Sequence, residues 1–105
     1  MNTSVLVFKI SENPSSKFYR KKIKLLEIKA TFNCVIRGKV FSENFNLLIW
    51  GDLIEDVLLH YRKNDYIVVE GILKTSYQLN RNNLKSQEKK IEITVLDIYL
   101  LFPAV

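Results

Sequence analysis

Apolar and polar positions alternate with period two along most of this chain and switch once to a spacing of three and four. Thr3 to Ile10 puts Val5 and Val7 on one side and Leu6, Phe8 and Ile10 on the other, predicting a first strand with both faces partly covered. Ser11 to Ser16, with Pro14 inside it, breaks the pattern. From Ile23 to Phe32, Lys24, Leu26, Ile28, Ala30 and Phe32 face one way and the intervening residues the other, a second strand. Cys34 to Phe41 stays rich in β-branched residues, but Gly38 between Arg37 and Lys39 predicts a hairpin or flexible ribbon rather than a central strand. Asn44 to Trp50 is an apolar run closed by Gly51, and reads as a third, mostly buried strand.

The period changes at Asp52. Leu53, Ile54, Val57, Leu58 and Tyr61 recur at helical spacing, so one helix face lies on a core. With Asp52 as N-cap, Glu55 falls at the third helical position, where its carboxylate can reach back to form a capping box. Arg62 and Lys63 in the last turn complement the helix dipole, and Asn64-Asp65 stops the helix. Tyr66 to Leu79 predicts a long fourth strand in which Gly71 marks a bend or bulge of the kind barrels need. Asn80 to Lys90 is polar and predicts an exposed hairpin loop, and Ile91 to Phe102 is the last strand. Five strands with one helix between the third and fourth predict an all-β fold with one helix, the five-stranded Greek-key OB-fold barrel, which commonly binds oligonucleotides on one face. A β-grasp or ferredoxin-like fold wants a helix earlier, and 15–22 is weakly patterned for one.

Composition narrows the functional classes. At 105 residues the chain predicts one domain, 1–105. No run reaches the roughly 18 to 20 apolar residues of a membrane span. The N-terminus has neither a basic start nor a long apolar stretch, so no secretory signal and a soluble, non-membrane chain are expected. One cysteine, Cys34, and one histidine, His60, form neither an internal disulfide nor a four-ligand metal site, so both are read as packing or surface residues and no cofactor is expected. No nucleophile–base pair or phosphate-cradling glycine loop is present, so the chain is not expected to be an enzyme. Charge is uneven: the first 42 residues carry +7 and the rest −2. Such a basic half faces either a polyanion or only solvent. Abundant Ile, Leu, Asn and Lys with scarce Gly and Ala match A+T-rich codons, as in an organelle genome or a low-G+C microbe.

The segment IWGDLIEDVLLHYRKNDYIVVEGIL resembles the centre of bacterial-type single-stranded DNA-binding proteins, through Trp50, Gly51, Leu53, Glu55, Tyr61, Lys63, Asp65, Val68, Glu70, Gly71 and Leu73. Weaker similarity continues through Val5 to Ile10, Asn13-Pro14 and IEITVLDIYLL, and the composition matches the small plastid-encoded members. The resemblance implies sequence-independent binding of single-stranded DNA in replication or repair, in the plastid or otherwise the cytoplasm, as a homo-oligomer. An OB-fold interaction or RNA-binding module with weakened nucleic-acid binding is the alternative.

The family stacks bases on aromatic rings and neutralises phosphates with Lys and Arg, and stacking is indifferent to sequence. If Phe45, Leu47 and Ile49 point into the barrel, Asn46, Leu48 and Trp50 point out, and Trp50 matches a family stacking position, unless it is packed under the ribbon or against a partner subunit. Lys74 matches a basic position on that face. Tyr77 lies one residue short of another stacking aromatic, so it reaches nucleic acid only if the Gly71 bulge or a twist restores its direction. Asn44 and Gln78 stand where the family usually has aromatics, and the shorter ribbon offers Arg37, Lys39 and Phe41 as compensation. An acidic recruiting tail, present in many bacterial relatives, does not follow Phe102, so recruitment by that route is not expected.

Overall fold

The computed structural model describes residues 2–15, 19–80 and 83–104. Strands β1 (Ser4–Ile10), β2 (Tyr19–Arg20), β3 (Leu25–Ile36) and β4 (Lys39–Trp50) precede helix α1 (Leu53–His60), and β5 (Tyr66–Asn80) and β6 (Asn83–Phe102) follow it. The sheet runs β1-β5-β6-β4-β3-β2, and β1 returns to β3 through Lys9 opposite Thr31 and Ile10 opposite Ala30. Those contacts close the five long strands into the predicted barrel. The two-residue β2 is an added edge on β3.

Alternation sets the inside. Leu26, Ile28 and Ala30 of β3, Phe45, Leu47 and Ile49 of β4, Ile67 and Val69 of β5 and Ile91, Ile93 and Val95 of β6 are all buried. Phe8, Phe32 and Phe45 meet edge to face, with ring centroids 4.9 to 6.2 Å apart, a geometry that lets positive ring edges meet negative faces. The helix covers the core with Ile54 and Val57 and, just beyond its end, Tyr61, as its periodicity predicts. The first strand differs from expectation on one side: Val5 and Val7 are exposed while Phe8 and Ile10 are buried.

The helix ends also differ. Asp52 already has helical dihedrals and makes no side-chain capping bond, so the expected capping box does not form. The chain turns one residue earlier, at Gly51 with φ +67°, a left-handed conformation that favours glycine, and the Gly51 carbonyl accepts the Ile54 N–H at 3.2 Å. At the other end the helix stops at His60, so Arg62 and Lys63 lie beyond its last turn. Arg62 still serves the terminus, because its Nη1 donates to the Tyr61 carbonyl at 2.9 Å. Asp65, only 4% exposed, holds this corner: Oδ2 accepts the Arg62 N–H at 2.8 Å and Oδ1 accepts the Ala104 N–H at 2.7 Å.

Gly71 marks the predicted bulge, for the β5–β6 register shifts between Glu70 and Gly71. A Cβ there would strike the Thr94 carbonyl oxygen and lie 2.8 Å from Ile93 Cγ1. Two predicted hairpins are strand-paired nearly to their tips. The 34–41 ribbon continues the β3–β4 ladder to a two-residue turn at Arg37 and Gly38, both with positive φ as a type I′ turn requires. The 80–90 segment, expected as an exposed hairpin loop, is mostly strand and extends the β5–β6 ladder, with Asn80 opposite Asn83; residues 81 and 82 lie outside the described residues. The 83–90 sequence is polar, so no apolar alternation marks it as strand.

Candidate nucleic-acid interface

The outer face of the barrel follows directly from strand register. Lys29 of β3 lies opposite Asn46 of β4, Asn46 opposite Glu92 of β6, and Glu92 opposite Lys74 of β5. Directly opposed residues share a sheet face, so these four form one row across four strands, roughly 14 Å wide at the usual strand spacing. Trp50 is on the same face four residues further along β4, and the residue is 44% exposed. The expected parity therefore holds: Phe45, Leu47 and Ile49 point inward, while Trp50 faces solvent.

Trp50 stands beside a basic turn. Leu25 is its cross-strand partner, and the Gly51 N–H donates to the Lys24 carbonyl at 3.2 Å. Lys21, Lys22 and Lys24, all exposed, are thus brought to the Trp50 end of the face, and none of them has an ion pair among the described residues. Sequence reading recorded their charge but not this placement. Only the β3–β4 register supplies it.

The remaining predicted site residues are arranged differently. From Gly71 to Leu79 the β5–β6 pairing runs without interruption, so alternation is preserved and Tyr77 points opposite to Lys74. The bulge precedes Lys74 and does not restore Tyr77 to the Trp50 face. Tyr77, 64% exposed, lies across from Lys89, whose Nζ is 3.2 Å from Glu43 Oε1. Phe41 and Lys39 share the parity of Glu43, while Arg37 occupies the hairpin turn. Trp50 and Lys74 therefore form one group on the barrel face, and Lys39, Phe41 and Tyr77 another on the arms. The Gln78 side chain lies outside the described residues.

A cleft of about 350 Å³ opens where β4 and β6 part. These strands pair only from Asn46 to Leu48 with Glu92 to Thr94, and below that point their edges diverge. Asn44, Asn46, Lys29 and Lys90 line the opening. Neither asparagine amide forms a side-chain hydrogen bond among the described residues. Lys29 and Lys90 have only long ion pairs, 4.0 Å to Glu12 and 3.9 Å to Glu92. His60 is on the surface, 3.6 Å from Asp56, and the described residues hold no cluster of metal ligands.

This barrel and its helix define the class: the chain is an OB-fold, and the resemblance to bacterial-type single-stranded DNA-binding proteins is borne out over nearly its whole length. It is 29% identical over 99 residues to ycf41 of Trieres chinensis, a protein provisionally named as a single-stranded DNA-binding protein, covering 94% of this chain and 88% of that one. The small single-stranded DNA-binding protein of Streptomyces coelicolor has the same fold, with a TM-score of 0.75 at 13% identity over 94% of this chain and 93% of that one. The mitochondrial single-stranded DNA-binding protein Rim1 of S. cerevisiae superposes with a TM-score of 0.64 at 16% identity, covering 98% and 97% of the two chains. The corresponding domain of a Synechococcus sp. protein gives 0.61 at 20% identity over 94% of each. No protein-family model matches the chain.

Proposed function

We propose that this chain binds single-stranded DNA as a non-enzymatic coat during replication or repair, with residues 1–105 acting as one OB-fold unit. The observation that carries the proposal is Trp50, an exposed indole on the outer β4 face beside the basic turn of Lys21, Lys22 and Lys24. Stacking on such a ring contributes ~1–3 kcal/mol per base and does not depend on which base stacks. Lys74, and the arm residues Arg37, Lys39, Phe41 and Tyr77, extend the contact along the strand, with the arms closing over the nucleic acid rather than lying on the Trp50 face. The sequence similarity to ycf41 supports the ligand class.

The same reading includes self-association and a plastid location. Exposed Val5, Val7, Tyr66, Tyr99 and Phe102 fall on the outer face of β1, β5 and β6, by the pairing of Val7 with Val68, Val68 with Tyr99 and Tyr66 with Phe102. A second copy covering that face would remove this apolar surface from water. The A+T-rich residue usage supports the plastid. No helix among the described residues is long and apolar enough to cross a membrane.

Trp50 is the chain's one tryptophan, so its fluorescence reports on the site. Titration with oligo-dT is expected to quench it, with log K falling by about 0.7 per unit of log salt for each phosphate neutralised. An unquenched signal together with no bound oligonucleotide by anisotropy overturns the reading.

A further inference from the structure

We propose that the fork between β4 and β6 is a seat for one unstacked nucleotide, in which Asn44 and Asn46 read the base edge and Lys29 or Lys90 holds the adjoining phosphate. This deepens the single-stranded DNA reading and rests on it. Three observations converge on the fork. First, β4 and β6 are hydrogen-bonded only over Asn46–Leu48 and Glu92–Thr94, so their facing edges below that point open into the cleft. Second, the cleft of about 350 Å³ has room for a heterocycle and is walled below by Ala30, Phe45 and Ile91, apolar surface that suits a flat ring. Third, Asn44 and Asn46 project to the same face two residues apart, with neither amide engaged by another side chain among the described residues.

A carboxamide carries a donor and an acceptor side by side, which match the N6 amino group and N7 of adenine in a two-bond pair. An aromatic ring at position 44 would accept any base by its π-face; an amide instead rewards the base whose edge it fits. The long Lys29–Glu12 and Lys90–Glu92 contacts, at 4.0 and 3.9 Å, leave both ammonium groups able to turn to a phosphate. The coat therefore tolerates any sequence through Trp50 yet gains at one nucleotide when adenine enters the fork.

The test compares oligo-dT of about a dozen nucleotides with the same oligomer carrying one central adenine, using the full chain and anisotropy of a labelled strand. A good two-bond pair implies a gain of about fivefold or more for the adenine oligomer. Asn44→Ala combined with Asn46→Ala is expected to abolish that gain, so that the two oligomers bind alike, and circular dichroism checks that the variant is folded. Should the double variant unfold, Asn44→Asp serves instead, since it keeps the shape, loses the amide donor and is likewise expected to lose the adenine gain. Equal affinities for the two oligomers, or a gain that survives the substitutions, overturn the seat while leaving the DNA-binding reading in place. Failure to bind either oligomer overturns both.

Discussion

Glu43 and Lys89 meet across the mouth of the β4–β6 fork, with Oε1 3.2 Å from Nζ. Their strands are not paired to each other at these positions, so this contact, rather than a backbone ladder, links the two arms. Both side chains are about half exposed, so the pair adds little to stability. Its effect is on charge, because Glu43 occupies a lysine that the proposed binding would otherwise turn to a phosphate. Glu43→Gln is expected to change unfolding free energy by less than ~0.5 kcal/mol. It should tighten oligo-dT binding and steepen the salt slope by about 0.7, one additional phosphate contact. Anisotropy titrations at several salt concentrations measure both quantities.

Asp65 is the polar group on which three chain segments depend. Its carboxylate accepts N–H groups of Arg62 and Ala104, and its own carbonyl accepts the Ile10 N–H at 3.0 Å. Hydrogen bonds to a charged group contribute about 1.5–3 kcal/mol each, so Asp65→Ala is expected to cost about 3 kcal/mol or more in urea unfolding. Asp65→Asn keeps one acceptor oxygen and should fall between the two. A variant as stable as the parent would show that the helix exit and the 104 region are held by other contacts.

Tyr61 makes stability sensitive to alkali. Burial first, then the charges of Asp56 and Asp65, push its phenol above the ordinary value of 10.0. The folded protein thus holds the proton more tightly than the unfolded chain, and the resulting stabilisation is fully present below about pH 10 and lost as pH rises through the folded value. Melting temperature is expected to fall more steeply above about pH 10 in the parent than in Tyr61→Phe. Tyr99 is shifted the same way by Asp97, but its hydroxyl is exposed and remains in both proteins. Parallel slopes for the two proteins would remove Tyr61 from this account.

Legibility from sequence followed the source of the signal. Burial of one side makes alternation visible, so the inward direction of Leu26, Ile28, Phe45, Leu47 and Ile49 could be read residue by residue, as could the helix face of Ile54 and Val57. The 34–41 hairpin was legible from Gly38, but the strand character of 83–90 was not, since those residues pair through the backbone with little apolar patterning. Asp52 and Glu55 have the spacing of a capping box, but Gly51 makes the turn and leaves Asp52 with helical dihedrals and no side-chain capping bond. The fork and the basic turn at Trp50 are properties of register between residues 25 to 46 positions apart, which no local pattern encodes. Tyr77 shows the reverse case: its direction was legible as a parity conflict, and uninterrupted pairing from Gly71 to Leu79 decides it.

Trp50 distinguishes a binding surface from a packed one. It is 44% exposed on the outer face, whereas its cross-strand partner Leu25 on that same face is buried. A fully buried Trp would cost about 3–5 kcal/mol on truncation through the cavity it leaves. A half-exposed one loses less, and Trp50→Ala is expected to destabilise by about 1 kcal/mol, a modest drop in melting temperature. If the indole stacks a base, the same substitution weakens oligo-dT binding by ~1–3 kcal/mol, roughly five- to 150-fold. Trp50→Phe keeps a stacking ring and should recover most of that loss, while Trp50→Leu restores apolar volume without a ring and should not. Measured together, melting curves and affinities of the three variants separate the roles, since affinity that follows apolar volume rather than aromaticity would assign Trp50 to packing.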